Sequence, residues 1–450
     1  MWLVPENDLI DEAVRKLLHR VLGAGSYAPR RDRRAQSNPE QSGAFAVSLP
    51  VDLLKFALLF STLYAAFGVA SPFLPELLSL HGLNPERLGI TLSLATMIRL
   101  VSAPLAGRIA DRRHALRIVL ATCAALAGAA AFVFLPAVGF QTLLVVALLH
   151  AALLAPTTVL ADALALWAAA TNSTKGFKFE YGWVRGLGSL AFVLGSLAIG
   201  PSILVFGIGS IVIGQAILLL MAAGAALLVP EISSTHSAEP SFGRVQYAGL
   251  LDLLRSPSFR WLIVVASLVL GSHAMHDSFA MIAWNAAGLN PVVGSALWSE
   301  SVAAEVIVFV AVGPFLLRHL TPEGAMAISA VACVLRWGLL AQSSSSTVAI
   351  AIAEPLHGMT FALLHLSCMR VLANIVPREL AGLAQAIYGT VGIGVASAAV
   401  TLLSGSLYGD FGARGFWAMS LMAAAALPAI WRLDRARRSA IHRPIGTHVG

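Results

Sequence analysis

Apolar runs of about twenty residues recur along most of this chain, starting near residues 52, 88, 116, 139, 181, 205, 259, 293, 323, 347, 380 and 413. A helix that crosses a bilayer needs about 20 mostly apolar residues at ~1.5 Å rise each, so each run is long enough to span. The pattern predicts an all-α polytopic membrane protein with twelve transmembrane helices. Residues 1–50 and 231–258 fall outside it.

Composition agrees with the pattern. Hydrophobic residues make up 58% of the chain and charged residues only 12%, where a soluble domain carries about a quarter charged. Basic residues in short loops mark the cytoplasmic side. Here Arg108, Arg112, Arg113 and Arg117 lie between spans two and three, Lys175 and Lys178 between four and five, and Arg244 and Arg255 between six and seven. Arg432, Arg435, Arg437, Arg438 and Arg443 follow span twelve, while Arg87 and Arg414 are the main exceptions in the alternate loops. Both termini are therefore expected in the cytoplasm, with the chain in the plasma (inner) membrane. This topology accounts for the net charge of +7 without a nucleic-acid partner.

Cys123, Cys333 and Cys368 all fall inside apolar segments without C-x-x-C spacing, so neither a disulfide framework nor a metal site is indicated. No H-E-x-x-H, P-loop or G-x-G-x-x-G signature is present, which leaves hydrolysis and nucleotide binding without a foothold. The chain does not read as an enzyme, and no cofactor is expected. Near the N-terminus Asn7 or Asp8 is placed to cap a short helix with Ile10, Val14, Leu17, Leu18 and Val21 on helical spacing, followed by Arg30, Arg31, Arg33 and Arg34. Two readings stand for residues 1–50: an amphipathic helix on the anionic inner leaflet, or a poorly ordered basic extension.

The chain also repeats itself. At an offset of 210, Pro104, Arg108, Cys123 and Gly128 match Pro314, Arg318, Cys333 and Gly338. At an offset of 207, Tyr181-Gly182-Trp183-Val184 matches Tyr388-Gly389-Thr390-Val391. Two related halves of six spans follow, 51–230 and 259–432, joined by a cytoplasmic linker at 231–258 and ending in a cytoplasmic tail at 433–450. Two parallel repeats of six spans are the layout of a secondary transporter whose substrate binds between the halves.

A family resemblance can then be placed on particular residues. Gly107-Arg108-Ile109-Ala110-Asp111-Arg112-Arg113 resembles the signature loop of the major facilitator superfamily, although His114 and Ala115 stand where that family has a further glycine and basic residue. The resemblance implies a conformational latch at Gly107, Asp111 and Arg112. Phe179-Glu180-Tyr181-Gly182-Trp183-Val184-Arg185, Ala304-Glu305-Val306-Ile307-Val308-Phe309 and Leu356-His357-Gly358-Met359-Thr360-Phe361, with His365 and Arg370, are similar to the lactose-permease-like branch and within it to the 3-phenylpropionic acid transporter group.

Ionisable side chains at membrane depth cost at least about 2.5–3.5 kcal/mol each, so they face a cavity or a partner. Arg185 lies about seven residues, roughly 10 Å, into span five, and Asp162 about eight residues into span four. Equal depth on adjacent spans predicts an ion pair. The resemblance implies that this pair holds substrate, although a pair that merely ties two helices is equally compatible with the residues themselves. Arg99, mid-span on span two without an acidic partner at its depth, is a candidate anion contact.

In the second half, Glu305, Arg336 and His357 sit where the resembled branch has its proton-coupling network. Thr360 occupies the place of that branch's proton-carrying carboxylate, so Glu305 is expected to take over, with Glu354 and Asp277 as alternates and His357 as proton carrier or substrate donor. His273, His276 and Asp277 crowd one stretch of span seven, where His273 and Asp277 share a helical face, and they read as a polar cavity wall. Arg370 is expected to snorkel to the interface. Gly182 and Gly186, and Gly405 and Gly409, are G-x-x-x-G spacings that predict packing seams.

The expected activity is proton-coupled uptake of a small organic, aromatic acid by a monomer in the lipid bilayer. The alternatives are a sugar or nucleoside symporter, an exporter of the same fold, and a non-transporting membrane sensor.

Overall fold

A computed structural model describes residues 51–172, 180–231, 244–343 and 345–441. The N-terminal helix expected within residues 1–50, Lys175, Lys178, Phe179 and Arg443 lie outside the described residues. Among the described residues there is no strand. Among the described residues eleven helical stretches are long and apolar enough to span, and the last, Arg378–Ser439, turns back at Gly412–Gly415 to make twelve spans: Val51–Ala70, Pro85–Arg113, Leu116–Val133, Phe140–Asn172, Tyr181–Phe206, Ser210–Leu228, Pro257–Ala286, Pro291–His319, Pro322–Ser343, Thr347–Ile375, 381–411 and 416–441, numbered one to twelve here.

Their starts follow from local chemistry. Spans two and eight open on the same Asn-Pro pair: Asn84 accepts from the Arg87 amide and Asn290 from the Val293 amide, both at 3.0 Å. The proline after each cap needs no donor at the first helical position. Span two ends at His114, whose backbone sits in the left-handed region with φ 49°. A non-glycine residue carries a steric cost there, and this is the position at which the resembled signature loop has its glycine.

The halves pack alike. Gly128 on span three meets Ala216 and Leu219 of span six, and Gly338 on span nine meets Trp417 of span twelve. The repeat seen at offset 210 therefore places small residues at equivalent helix crossings.

Contact between the halves lies toward the face opposite the basic loops. A Cβ placed on Gly405 would stand 2.7 Å from the Pro85 carbonyl oxygen, and one on Gly409 would meet the Glu86 carboxylate at 2.4 Å. Gly200 likewise faces Pro291, Val292 and Ser295 of span eight. Just beyond span one, buried Glu76 accepts a hydrogen bond from Asn285 at the end of span seven. Burial pushes the Glu76 carboxyl above its ordinary pKa, against the opposing effect of the Asn285 donor.

Three expectations need correction. Gly405 and Gly409 form a seam, but Gly182 and Gly186 face open space, and span five instead packs on span one through Gly188 against Tyr64 and Gly195 against Ala65. The 231–258 linker contains a helix, Arg244–Arg255, in which Gly249 abuts Leu380. Span twelve continues as helix to Ile441, carrying Arg437 into contact with Glu323 of span nine, so residues 433–441 are not a separate tail.

Candidate functional site

Two polar clusters stand out, one in each half. In the first, Asp162 of span four accepts a hydrogen bond from the Tyr181 phenol at 2.9 Å. Arg185 does not pair directly with Asp162, contrary to expectation: its guanidinium lies over the Tyr64 ring, 4.5 Å from the centroid. Tyr181 opens span five and reaches the carboxylate first. The helix begins there with Glu180 as its cap, so Arg185 is little more than one turn in, shallower than the roughly 10 Å read from the sequence.

Phe60 stacks on Tyr64 at 5.8 Å and meets Tyr181 edge-on at 6.4 Å, which closes an aromatic wall around the cation. Arg185 is half-buried, and its Nη1 is buried without a hydrogen-bond partner among the described residues. A buried donor left unpaired costs about 1–3 kcal/mol, so an acceptor delivered to this point is strongly favoured. The cluster combines a cation, an open donor and apolar ring faces.

The second cluster is assembled where helices are broken. Span seven is interrupted at Ser272, freeing the Val269 carbonyl to accept from the Ser272 hydroxyl at 2.7 Å and from His273 Nδ1 at 3.0 Å. Span ten breaks at Glu354-Pro355, because a proline ring clashes with the preceding turn and supplies no N–H, and continues as a π-helix over Gly358–Leu363. Span eight widens into a π-helix over Val308–Val312 ahead of Pro314. The two wide segments touch: a Cβ on Gly358 would stand 2.7 Å from the Val308 side chain. Such bulges re-aim side chains and are frequent at functional sites.

Around these breaks runs a continuous chain of contacts. Arg336 is fully buried and donates to Glu354 Oε2 and to His357 Nδ1, both at 2.9 Å. A guanidinium only donates, so His357 is held as an acceptor at Nδ1 and donates from Nε2 to Glu305 Oε2 at 3.1 Å. Glu354, also fully buried, accepts from His276 Nε2 at 3.1 Å. His276 Nδ1 lies 3.4 Å from Asp277, and its ring stacks on Trp298 at 5.1 Å. The chain ends in two accessible carboxylates: the Glu305 side chain is 24% exposed and that of Asp277 60%.

The structure thus brings Glu305, Arg336, His357, Glu354 and Asp277 into one network and places Asp162 with Arg185 in another. Arg99 joins neither. It is exposed on span two, electrostatically close to His150, with no hydrogen-bond acceptor among the described residues. The latch residues Gly107, Asp111 and Arg112 lie on the basic face, where a Cβ on Gly107 would meet nothing within 4 Å. His273 turns away from Asp277 to Thr360, at 2.9 Å, and Arg370 is exposed and donates to the Leu317 carbonyl.

Sequence reading missed two participants and mispaired a third. His276, not His273, joins Asp277 to the network; adjacency in sequence was the available signal, outweighed by the i, i+4 spacing. Tyr64 and Tyr181 were missed as partners of Arg185 and Asp162, although Tyr181 stands in the same motif.

The chain matches known proteins throughout these elements. Residues 53–419 fit the family described as MFS_1 like. The probable 3-phenylpropionic acid transporter of Escherichia coli (strain K12) is 31% identical over 390 residues, covering 83% of this chain and 95% of that one. The nucleoside transporter NupG superposes with a TM-score of 0.73 at 17% identity, over 86% of this chain and 100% of that one. A D-xylose-proton symporter gives 0.61 at 13% identity, over 85% and 96%; at such identities the likeness is one of fold, two pseudo-symmetric six-helix bundles. By family, relative and fold together, the chain is a multi-span membrane transporter, not an enzyme, and belongs to the MFS_1-like family of the major facilitator superfamily.

Proposed function

We infer that the protein takes up a small aromatic carboxylic acid together with protons, with its basic face and both termini in the cytoplasm and the chain in the inner membrane. The observation that carries this reading is the unpaired, buried Nη1 of Arg185 inside the wall of Phe60, Tyr64 and Tyr181. A carboxylate supplies the missing acceptor, and charge-assisted hydrogen bonds are roughly twice as strong as neutral ones. An aromatic ring beside the carboxylate stacks on the same wall. The relative named for 3-phenylpropionic acid transport supports that substrate class.

Protons enter the cycle through the second cluster. Glu305 is one of the two accessible carboxylates in which the network ends, and it is the one that accepts from His357. Protonating Glu305 removes the acceptor charge that holds His357, which in turn loosens the Arg336 pairing and the packing of spans eight and ten against each other. Rocking of the halves follows by release of the outer contacts at Gly89–Gly405 and Glu76–Asn285.

The test is uptake of labelled phenylpropionate, xylose and uridine into proteoliposomes with and without an inward proton gradient. The acid is expected to accumulate only with the gradient. Gradient-independent uptake overturns the coupling, and preference for the sugar or the nucleoside overturns the substrate class.

A further inference from the structure

The arginines at the basic ends of spans seven and twelve belong to neither cluster, and their arrangement is specific. Span twelve starts at Phe416 on the side opposite the basic loops, so Arg432 and Arg435 lie roughly 25 Å along it, at the edge of a hydrocarbon core of about 30 Å. Helical spacing puts Trp417, Leu421, Trp431 and Arg435 on one exposed stripe of that span. Large apolar side chains left exposed along a span face lipid, and the stripe carries Arg435 one turn beyond Trp431, to headgroup level. On span seven, exposed Arg260 shares a face with exposed Val264 and stands next to Trp261.

The two spans meet through these residues. The Arg432 guanidinium lies over the Trp261 ring, 5.0 Å from its centroid, and that of Arg435 over the Trp431 ring at 4.6 Å. Each stack occupies the flat face of a guanidinium and leaves its in-plane N–H groups open to an acceptor. The neighbouring acids are committed elsewhere: Asp434 pairs with Arg438 at 2.9 Å, and Glu323 with Arg437. Arg260, Arg432 and Arg435 have no ion pair among the described residues.

We propose that Arg260, Arg432 and Arg435, with Trp261 and Trp431, form a site for the headgroup of an anionic phospholipid in the leaflet at the basic face. The phosphate oxygens accept from the open guanidinium N–H groups, a pairing whose fork geometry suits a phosphodiester. The indoles sit at the interface, where tryptophan is favoured, and the acyl chains run along the stripe of Trp417 and Leu421. A net negative headgroup is preferred over a zwitterionic one because the arginines carry uncompensated charge. The proposal depends on neither the substrate nor the proton coupling inferred above.

The experiment is native mass spectrometry of the full chain in detergent, measuring the affinities of phosphatidylglycerol and of phosphatidylcholine. Wild type is expected to bind the anionic lipid at least about tenfold more tightly. Arg432→Gln with Arg435→Gln should remove most of that preference, since each arginine near the surface contributes about fivefold. Arg113→Gln with Arg318→Gln takes the same charge from exposed positions at the ends of spans two and eight and should leave the preference intact. Equal affinities in wild type overturn the proposal, and so does an equal loss in the second pair, which would make net charge the cause. Displacement of phosphatidylglycerol by excess inorganic phosphate also overturns it, since the site then takes a free anion. If losing both stacks lowers the melting temperature, Arg260→Gln, which belongs to neither stack, serves instead. Its preference should fall about fivefold, and an unchanged one counts against the site.

Discussion

The two polar clusters differ in how completely they satisfy themselves. In the second half every strong donor finds an acceptor along Glu305, His357, Arg336, Glu354, His276 and Asp277, apart from the Arg336 Nε. In the first half Arg185 is left with an open donor and a ring face, and the carboxylate that was its natural partner is taken by Tyr181. A closed network holds structure and moves protons within itself; an open one is completed by something that arrives. We read the division of labour between the halves from that contrast.

The largest effect should come from breaking the closed network. Arg336→Ala leaves Glu354 and His276 buried without their cation, and removing one partner of a buried pair costs about 3–5 kcal/mol. A pronounced fall in thermal stability in detergent is expected, and a variant as stable as wild type would show the network to be looser than its distances imply. Arg185→Ala should do the reverse. It loses a cation–π contact worth about 1 kcal/mol, so stability changes little, whereas affinity for the acid falls by about 10- to 100-fold, equivalent to a charged hydrogen bond of roughly 1.5–3 kcal/mol. Binding measured by calorimetry separates the two variants.

A smaller effect is expected at Tyr181→Phe, which frees Asp162 to approach Arg185. If the open donor is what the substrate needs, affinity should drop by about fivefold as the carboxylate competes, in line with ~1 kcal/mol for one hydrogen bond; an increase in affinity would mean that Asp162 itself grips the substrate.

The smallest effect concerns the contact between the halves at Glu76. Its pKa is raised in the folded protein, so the folded state favours the protonated form: that contribution is present below the ordinary value of 4.5 and is lost as pH rises through the raised one. Glu76→Gln keeps an acceptor for Asn285 and removes the charge. Its melting temperature should exceed wild type by about 1 °C at pH 7.5, what ~1 kcal/mol gives in a chain of this size, with the gap closing as pH approaches 4.5. A gap independent of pH would show that the charge is not what matters.

Much of the fold was legible because membrane spans are written in the sequence as length and hydrophobicity, although spans two and eight begin at Pro85 and Pro291, a few residues ahead of the starts read near 88 and 293, because their Asn-Pro pairs cap the helices earlier than the apolar run does. The repeat was legible for the same reason: Gly128 and Gly338 are small where helices cross. The second cluster was legible residue by residue, since Glu305, Arg336, His357, Glu354 and Asp277 are all costly at membrane depth. Partner choice was not. Depth along a span placed Asp162 beside Arg185, but rotation about the helix axis and the reach of Tyr181 decided the bond. The G-x-x-x-G spacing at Gly182 and Gly186 is the same as at Gly405 and Gly409, and only the orientation of each helix makes one a seam and leaves the other open. The breaks at Ser272 and Pro355 also shift the helical register, which is why His276 and not His273 reaches Glu354.

The division of labour is tested most directly by assaying Arg185→Ala and Glu305→Gln side by side in proteoliposomes, each for gradient-driven accumulation of phenylpropionate and for counterflow at equal pH. Arg185→Ala should lose both activities, because the substrate is no longer held. Glu305→Gln should lose accumulation and keep counterflow, because substrate still binds and exchanges while the proton has no carrier. If the two variants fail in the same way, or if Glu305→Gln still accumulates the acid against its gradient, the assignment of substrate to one half and proton to the other is wrong.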